Sequence, residues 1–243
     1  MIPKDHPRYH SLMVRQRLAR CAEEGILSLE GLTAHGRGEA FDYLMGERTL
    51  ESAYLAEKIA AALLRCAERP VISVNGNTAA LAAGQIRDLQ EACGAAVEVN
   101  LFHHTEERHQ KITTYLRKNG VKILEGTAEH LLPLSHSRAL CLREGIGSAD
   151  VILVPLEDGD RCGALADMGK TVIVIDLNPL SRSARCATLT IVDELTRALP
   201  VITLFCRDLD PDQARSLSGG FDNRVFLAGA LQEIRRRLEH ALD

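Results

Sequence analysis

Apolar and polar residues follow two different periods along the chain, and the change from one to the other falls at Pro70. Before it, Leu55, Ile59, Ala62, Leu63 and Cys66 recur at helical spacing behind Thr49, a residue type that caps helices. Residues 1–69 are therefore expected to form a helical amino-terminal region, closed by the proline. Beyond it come short apolar runs at 71–74, 96–102, 121–124, 151–154, 171–175 and 188–192, each followed by a polar turn and most by a helical pattern. That alternation predicts an α/β domain over 70–243, built on a doubly wound parallel sheet.

The crossover helices are placed from near Asn77, after Thr105 with Glu106 and Glu107 in the first turn, and after Gly159. Residues 127–148 show no period and are expected as an irregular segment packed over the sheet. Near the carboxyl end, Leu227, Leu231, Ile234 and Leu238 form an apolar stripe on a long helix, with Arg235, Arg236 and Arg237 on a solvated face.

Composition narrows the function classes. The chain has 243 residues, 46% hydrophobic and 26% charged, enough for a sizeable core in one large domain or two small ones. Its formal charge of -4 supplies no basic field for a nucleic-acid backbone. Seven cysteines without a CxxC pair point to reduced thiols and a cytoplasmic setting. The amino terminus lacks the apolar stretch of an export signal, and no run approaches the roughly 18 apolar residues of a membrane span.

In open parallel sheets ligands gather beyond the carboxyl ends of the strands. Three runs end there in polar turns: Ser73-Val-Asn75-Gly76-Asn77, Pro155-Leu-Glu157-Asp158-Gly159-Asp160-Arg161 and Asp176-Leu177-Asn178-Pro179-Leu-Ser181-Arg182-Ser183. Asp176 closes an apolar strand where dinucleotide folds place a ribose-binding acid; a helix cap is the plainer alternative. Pro179 suits the first position of a helix, with Arg182 and Ser183 one turn later as phosphate donors. Arg37 stands between Gly36 and Gly38, whose lack of side chains leaves backbone free to approach a ligand. No glycine fingerprint of a dinucleotide or P-loop site occurs in strand-turn-helix context, and no metal motif accompanies the one adjacent histidine pair, His103-His104.

Several blocks, in order, resemble the archaeal phosphopantothenate synthetase (4-phosphopantoate–β-alanine ligase) family over residues 3–198. They are Pro7-Arg8-Tyr9, Arg15, His35-Gly-Arg-Gly-Glu-Ala-Phe-Asp-Tyr-Leu44, Ser73-Val-Asn-Gly-Asn77, Val154-Pro-Leu-Glu-Asp-Gly-Asp-Arg161 and Asp176-Leu-Asn-Pro-Leu-Ser-Arg182. Residues 200–220 fit less well and are expected to be a variable insert.

The resemblance implies a cytoplasmic homodimer with a Rossmann-like domain. It would join 4-phosphopantoate to β-alanine with ATP, releasing AMP and pyrophosphate through an acyl-adenylate on the route to coenzyme A. The implied ATP contacts are Arg15, Arg37, Asp176, Leu177, Asn178, Arg182, Ser183, Asp193 and Glu194, where the family pattern has Asp-Asn at the last two. Arg37 and Arg182 would act in catalysis, and His35, Glu39, Asn75 and Asn77 would hold the acid. Mg2+ would arrive with the ATP phosphates, with Glu157, Asp158 and Asp160 as outer ligands or as a solvated turn. On the residues alone, a nicotinamide-dependent oxidoreductase and a nucleotide-sensing binding module stay open.

Overall fold

A computed structural model describes residues 2–102 and 105–242; the His103-His104 pair lies outside them. Three helices come first, α1 (Tyr9–Glu23), α2 (Leu29–Met45) and α3 (Glu51–Cys66). Ser28 caps α2 by accepting from Gly31 N at 3.2 Å. Thr49 does not cap α3: its hydroxyl is committed to Asp193 Oδ2 at 2.5 Å, and Leu50 takes the cap position without a side-chain bond.

The α/β part follows as β1 (Pro70–Val74), α4 (Gly76–Cys93), β2 (Ala96–Val99) and α5 (Glu106–Lys118), the last capped by Thr105 as expected. A short antiparallel pair, β3 (Ala128–His130) and β4 (Leu140–Leu142), then leads through a helical turn, Arg143–Gly147, to β5 (Val151–Pro155). Next come α6 (Gly159–Asp167), β6 (Thr171–Ile175), α7 (Arg182–Cys186), β7 (Leu189–Ile191), α8 (Leu195–Asp208), α9 (Pro211–Ser218) and α10 (Asn223–Glu239).

The central sheet is parallel, with strand order β2-β1-β5-β6-β7. The chain winds outward from β1 to β2, then returns to the other side of β1 and continues through β5, β6 and β7. The order therefore reverses between β1 and β5, the crevice position of doubly wound folds. Successive strand residues feed opposite faces. Ile72, Val74, Leu153, Ile173 and Ile175 join a core under α3, α4 and α8, while Val71, Ile152, Val154, Val172 and Val174 pack beneath α6 and the 128–149 segment. The first core runs without a break from Leu18 of α1 through Leu64 of α3 to Ala214 of α9. Each fully buried Leu or Ile in it contributes roughly 1.5–3 kcal/mol.

Several expectations need correcting. Residues 121–124 give one parallel bridge, Val97 with Ile123, instead of a strand. The Gln90 amide takes both backbone groups of Lys122, accepting from its N at 2.9 Å and donating to its O at 2.8 Å, so the ladder stops there. Residues 200–220 are no insert, because α8 and α9 bury Ile202, Cys206, Leu209 and Ala214 in the main core. The stripe on α10 is half exposed: Leu227 and Ile234 are partly buried against Met45 and its neighbours, whereas Leu231 and Leu238 stand 37% and 58% exposed. The basic face is solvated as expected, with Arg235 paired to Glu239 and Arg236 to Glu233.

Candidate functional site

The reversal of strand order is bridged by the side chains of Asn75 and Thr78, the latter donating to Pro155 O at 3.2 Å. Asn75, at the end of β1, caps α4 through Oδ1 to Thr78 N (3.0 Å), and its Nδ2 donates to Pro155 O (3.2 Å) and Leu156 O (2.9 Å) beyond β5. From the other side Ser183 Oγ donates to Glu157 O at 2.6 Å, and Asp158 turns back to cap α6. Held so, Leu156 adopts φ 54°, a left-handed conformation that a non-glycine residue keeps only where its surroundings enforce it. Gly159 is required next to it, since a Cβ there would lie 2.4 Å from Arg182 Cβ.

Above these strand ends lies a cavity of about 610 Å3. Its walls are His35, Arg37 and Phe41 of α2, Asn77 of α4, the turn of Asp176, Leu177 and Asn178 after β6, and Arg182 with Ser183. Eight residues singled out from sequence thus meet in one place. The His35 to Leu44 block lies inside α2, so Gly36 and Gly38 thin a helix wall instead of freeing backbone for a ligand. Gly38 sets that wall on Leu177, with a would-be Cβ at ordinary contact distance of 3.7 Å.

Two exposed guanidinium groups stand on the cavity wall. Arg37 is exposed and has no hydrogen-bond or ion-pair partner among the described residues. Arg182 pairs with Asp160 Oδ1 at 2.6 Å, but with its side chain 78% exposed that pair is worth only about 0–1 kcal/mol and exchanges readily for phosphate. Asp176 spends both oxygens locally, accepting from Asn178 N at 2.9 Å and Ser181 Oγ at 2.5 Å, while burial pushes its carboxyl upward. Because of that turn α7 starts at Arg182 behind Ser181, and Pro179 is not its first residue. The Ser183 hydroxyl proton is committed to Glu157, so it is not the free donor expected from sequence.

Burial holds the His35 imidazole below its usual range, hence neutral near pH 7. Burial also pushes the Glu157 carboxyl up to about 7 against the opposing pull of Arg161. Glu157, expected only as an outer Mg2+ ligand or part of a solvated turn, lines the cavity.

Other expected residues lie elsewhere. Asn75 sits beneath the floor with its amide engaged, and Asn77 donates Nδ2 to Gly31 O at 2.9 Å, tying α2 to α4 from the cavity wall. Arg15 and Glu39 pair at 2.9 Å on the outer flank of α2. Asp193, 1% exposed, is bonded to Thr49 and Arg197. Glu194 caps α8 through Thr196 N at 2.8 Å and lies 3.6 Å from His10. His35 stands between the two groups, lining the cavity while feeling the charges of Glu39, Glu194 and Arg15.

The sequence profile of the phosphopantothenate/pantothenate synthetase family matches residues 52–237. The chain belongs to this family. A 4-phosphopantoate–β-alanine ligase of Methanospirillum hungatei is 58% identical over 243 residues, all of both chains. Enzymes of the same name from Methanosarcina mazei and Thermococcus kodakarensis are 50% and 48% identical, covering 98% of this chain and 96% and 93% of their own lengths. The phosphopantothenate/pantothenate synthetase fold thus places its α2 wall, outside the profile match, over strand ends that lie within it. As a member the chain is an enzyme of the ligase class. Among its described residues no helix is long and apolar enough to cross a membrane.

Proposed function

We propose that the protein is a cytoplasmic 4-phosphopantoate–β-alanine ligase that consumes ATP. Near-full-length identity of 48–58% to enzymes of that name carries the proposal. The meeting of Arg37, Arg182 and the Asp176 turn in one cavity supports it.

A carboxylate is a poor acylating agent, so the reaction is split in two. The 4-phosphopantoate carboxylate oxygen attacks the α-phosphorus of ATP and pyrophosphate leaves, giving an acyl-adenylate. The β-alanine amine then attacks the acyl carbon, AMP departs with the bonding electrons, and the amine loses its proton to give 4'-phosphopantothenate on the route to coenzyme A. Arg37 and Arg182 offset charge on the phosphate oxygens. The turn of Asp176, Leu177 and Asn178 takes the ribose, with Ser183 fixing the floor. Arg15, Asp193 and Glu194 do not line this cavity and belong to the proposed ATP set through the resemblance alone. Of the groups assigned to the acid, neutral His35 is uncommitted, Glu39 is paired with Arg15, and Asn75 and Asn77 act by shaping the cleft.

Mg2+ enters as the ion that ATP carries. Among the described residues no cluster of three or more His, Cys, Asp or Glu side chains forms a cage for it, and Asp158 and Asp160 are engaged by Arg138 and Arg182. No step is assigned to it.

The region 1–69 would also carry homodimer contacts, since Leu29, Tyr43, Tyr54 and Leu55 are 45–75% exposed on α2 and α3. Light scattering tests this, and a mass near 26.6 kDa, one chain, counts against it. The activity is tested by pyrophosphate release from ATP with and without each co-substrate. Full turnover should need both acid and amine; release indifferent to them defeats the proposal, and oxidation of a nicotinamide substrate without ATP supports the rival class.

A further inference from the structure

A second cavity, of about 330 Å3, lies beyond the carboxyl end of β2 beside α5 and β4. It shares no lining residue with the first; the opening turn of α6 separates them, with Gly159 on one and Arg161 on the other. Arg161 is 3% exposed. Its Nη2 donates to Asn100 Oδ1 at 2.7 Å and its Nη1 to the carbonyls of Arg138 and, at 3.5 Å, Leu140, while Nε has no partner. No carboxylate stands at ion-pair distance from this guanidinium among the described residues. Glu98 and Glu157 offset its charge through space, but the buried, unpartnered Nε still calls for an acceptor.

Two more buried groups on the same lining lack proper partners. Thr113 of α5 is 8% exposed, and its hydroxyl has none. A helical threonine can fold its hydroxyl back onto the carbonyl four residues earlier, and this one does not. Asn100, 6% exposed, directs its amide nitrogen at Ser73 Oγ and Glu98 O over 3.4 and 3.5 Å, at the long limit of hydrogen bonding.

We propose that this cavity binds the amino-acid substrate by its carboxylate, through Arg161, Asn100 and the Thr113 hydroxyl; the assignment rests on the ligase function above. Glu98, Glu106, Glu125, His109 and Arg117 also line the space, with Arg117 paired to Glu125. Such mixed surroundings suit a zwitterion better than the phosphate dianion of the acid substrate.

The test is the isosteric Thr113→Val, which removes a hydroxyl that nothing in the protein uses. Initial rates of pyrophosphate release, varied in each substrate, should show the β-alanine KM raised roughly tenfold to hundredfold, as for loss of one hydrogen bond to a charged group. The KM values for ATP and 4-phosphopantoate should change less than about twofold, with an undiminished melting temperature, and Thr113→Ser should restore the parental β-alanine KM. An unchanged β-alanine KM in Thr113→Val, beside an active parent, overturns this assignment alone. A rise confined to the 4-phosphopantoate KM overturns it too, giving the cavity to the acid. A parent without β-alanine-dependent turnover overturns both this assignment and the ligase function.

Discussion

Arg197 of α8 grips Asp42 of α2 with two prongs, Nη1 to Oδ2 at 3.1 Å and Nη2 to Oδ1 at 2.6 Å, while Nε and Nη2 also reach Asp193 Oδ1 at 2.9 and 2.6 Å. One guanidinium thereby fastens the helix that walls the larger cavity to the end of β7. Both acids are buried, so Arg197→Met leaves two uncompensated charges and should cost about 3–5 kcal/mol. Urea unfolding would show it as a lower midpoint at unchanged slope. A loss under about 1 kcal/mol would mean that the acids find other partners or water.

Behind this pair Glu57 is fully buried, and neither of its carboxylate oxygens has a hydrogen-bond partner. Burial first, and the nearby charge of Asp193 second, push its carboxyl up to about 10, with Arg197 opposing. The folded value lies above the ordinary 4.5, so the folded state holds a proton that the unfolded state gives up. Its stabilising contribution is full below about pH 4.5 and is lost as pH rises towards 10. Between pH 5 and 9 the melting temperature of Glu57→Gln should therefore fall less than that of the parent. Parallel declines in the two proteins would rule out Glu57 as the source.

Arg37 offers a catalytic test. If its planar fork meets phosphate oxygens as charge builds there, Arg37→Lys keeps the charge but loses the two-point geometry. Turnover should drop ~100-fold or more, with unchanged circular dichroism. Near-parental kcat in both Arg37→Lys and Arg37→Ala would make it a plain surface charge, and Arg182 the main phosphate cation.

Gly159→Ala and Gly163→Ala form a matched pair within α6. A Cβ at position 159 would stand 2.4 Å from Arg182 Cβ, whereas at 163 nothing lies within 4 Å. The first should push α7 away, cost about 1–3 kcal/mol and raise the ATP KM. The second should be neutral or stabilise by about 0.5–1 kcal/mol through helix propensity. Equal melting temperatures and ATP KM values for the two would refute the close approach of α6 and α7.

Legibility tracked how local each signal was. Short apolar runs such as 171–175 and the cap at Thr105 depend on neighbours in sequence, and both were recovered. Failures arose where a distant group intervened: Asp193 captured Thr49, Gln90 took the backbone of Lys122, and Asp176 drew the turn around Pro179 inward. Among site residues, the turns at strand ends converged as placed, because topology alone gathers them. What Asn75, Asn77 and Ser183 do there was not legible, since each bonds a carbonyl at least 26 positions away. Arg161 was legible only as the last residue of a polar turn and Thr113 not at all, since burial and an idle hydroxyl are visible only in three dimensions.

The unbroken core from α1 to α9 has a thermodynamic consequence. With no seam between the helices before Pro70 and the sheet after it, the molecule should melt in one cooperative step. Any ligand that prefers the folded cavity then raises the melting point of the whole chain by mass action, α1 included, although α1 lies on the outer flank of the helix that walls the cavity. A probe placed on α1 would thus report, through its unfolding, the occupancy of a site it never touches.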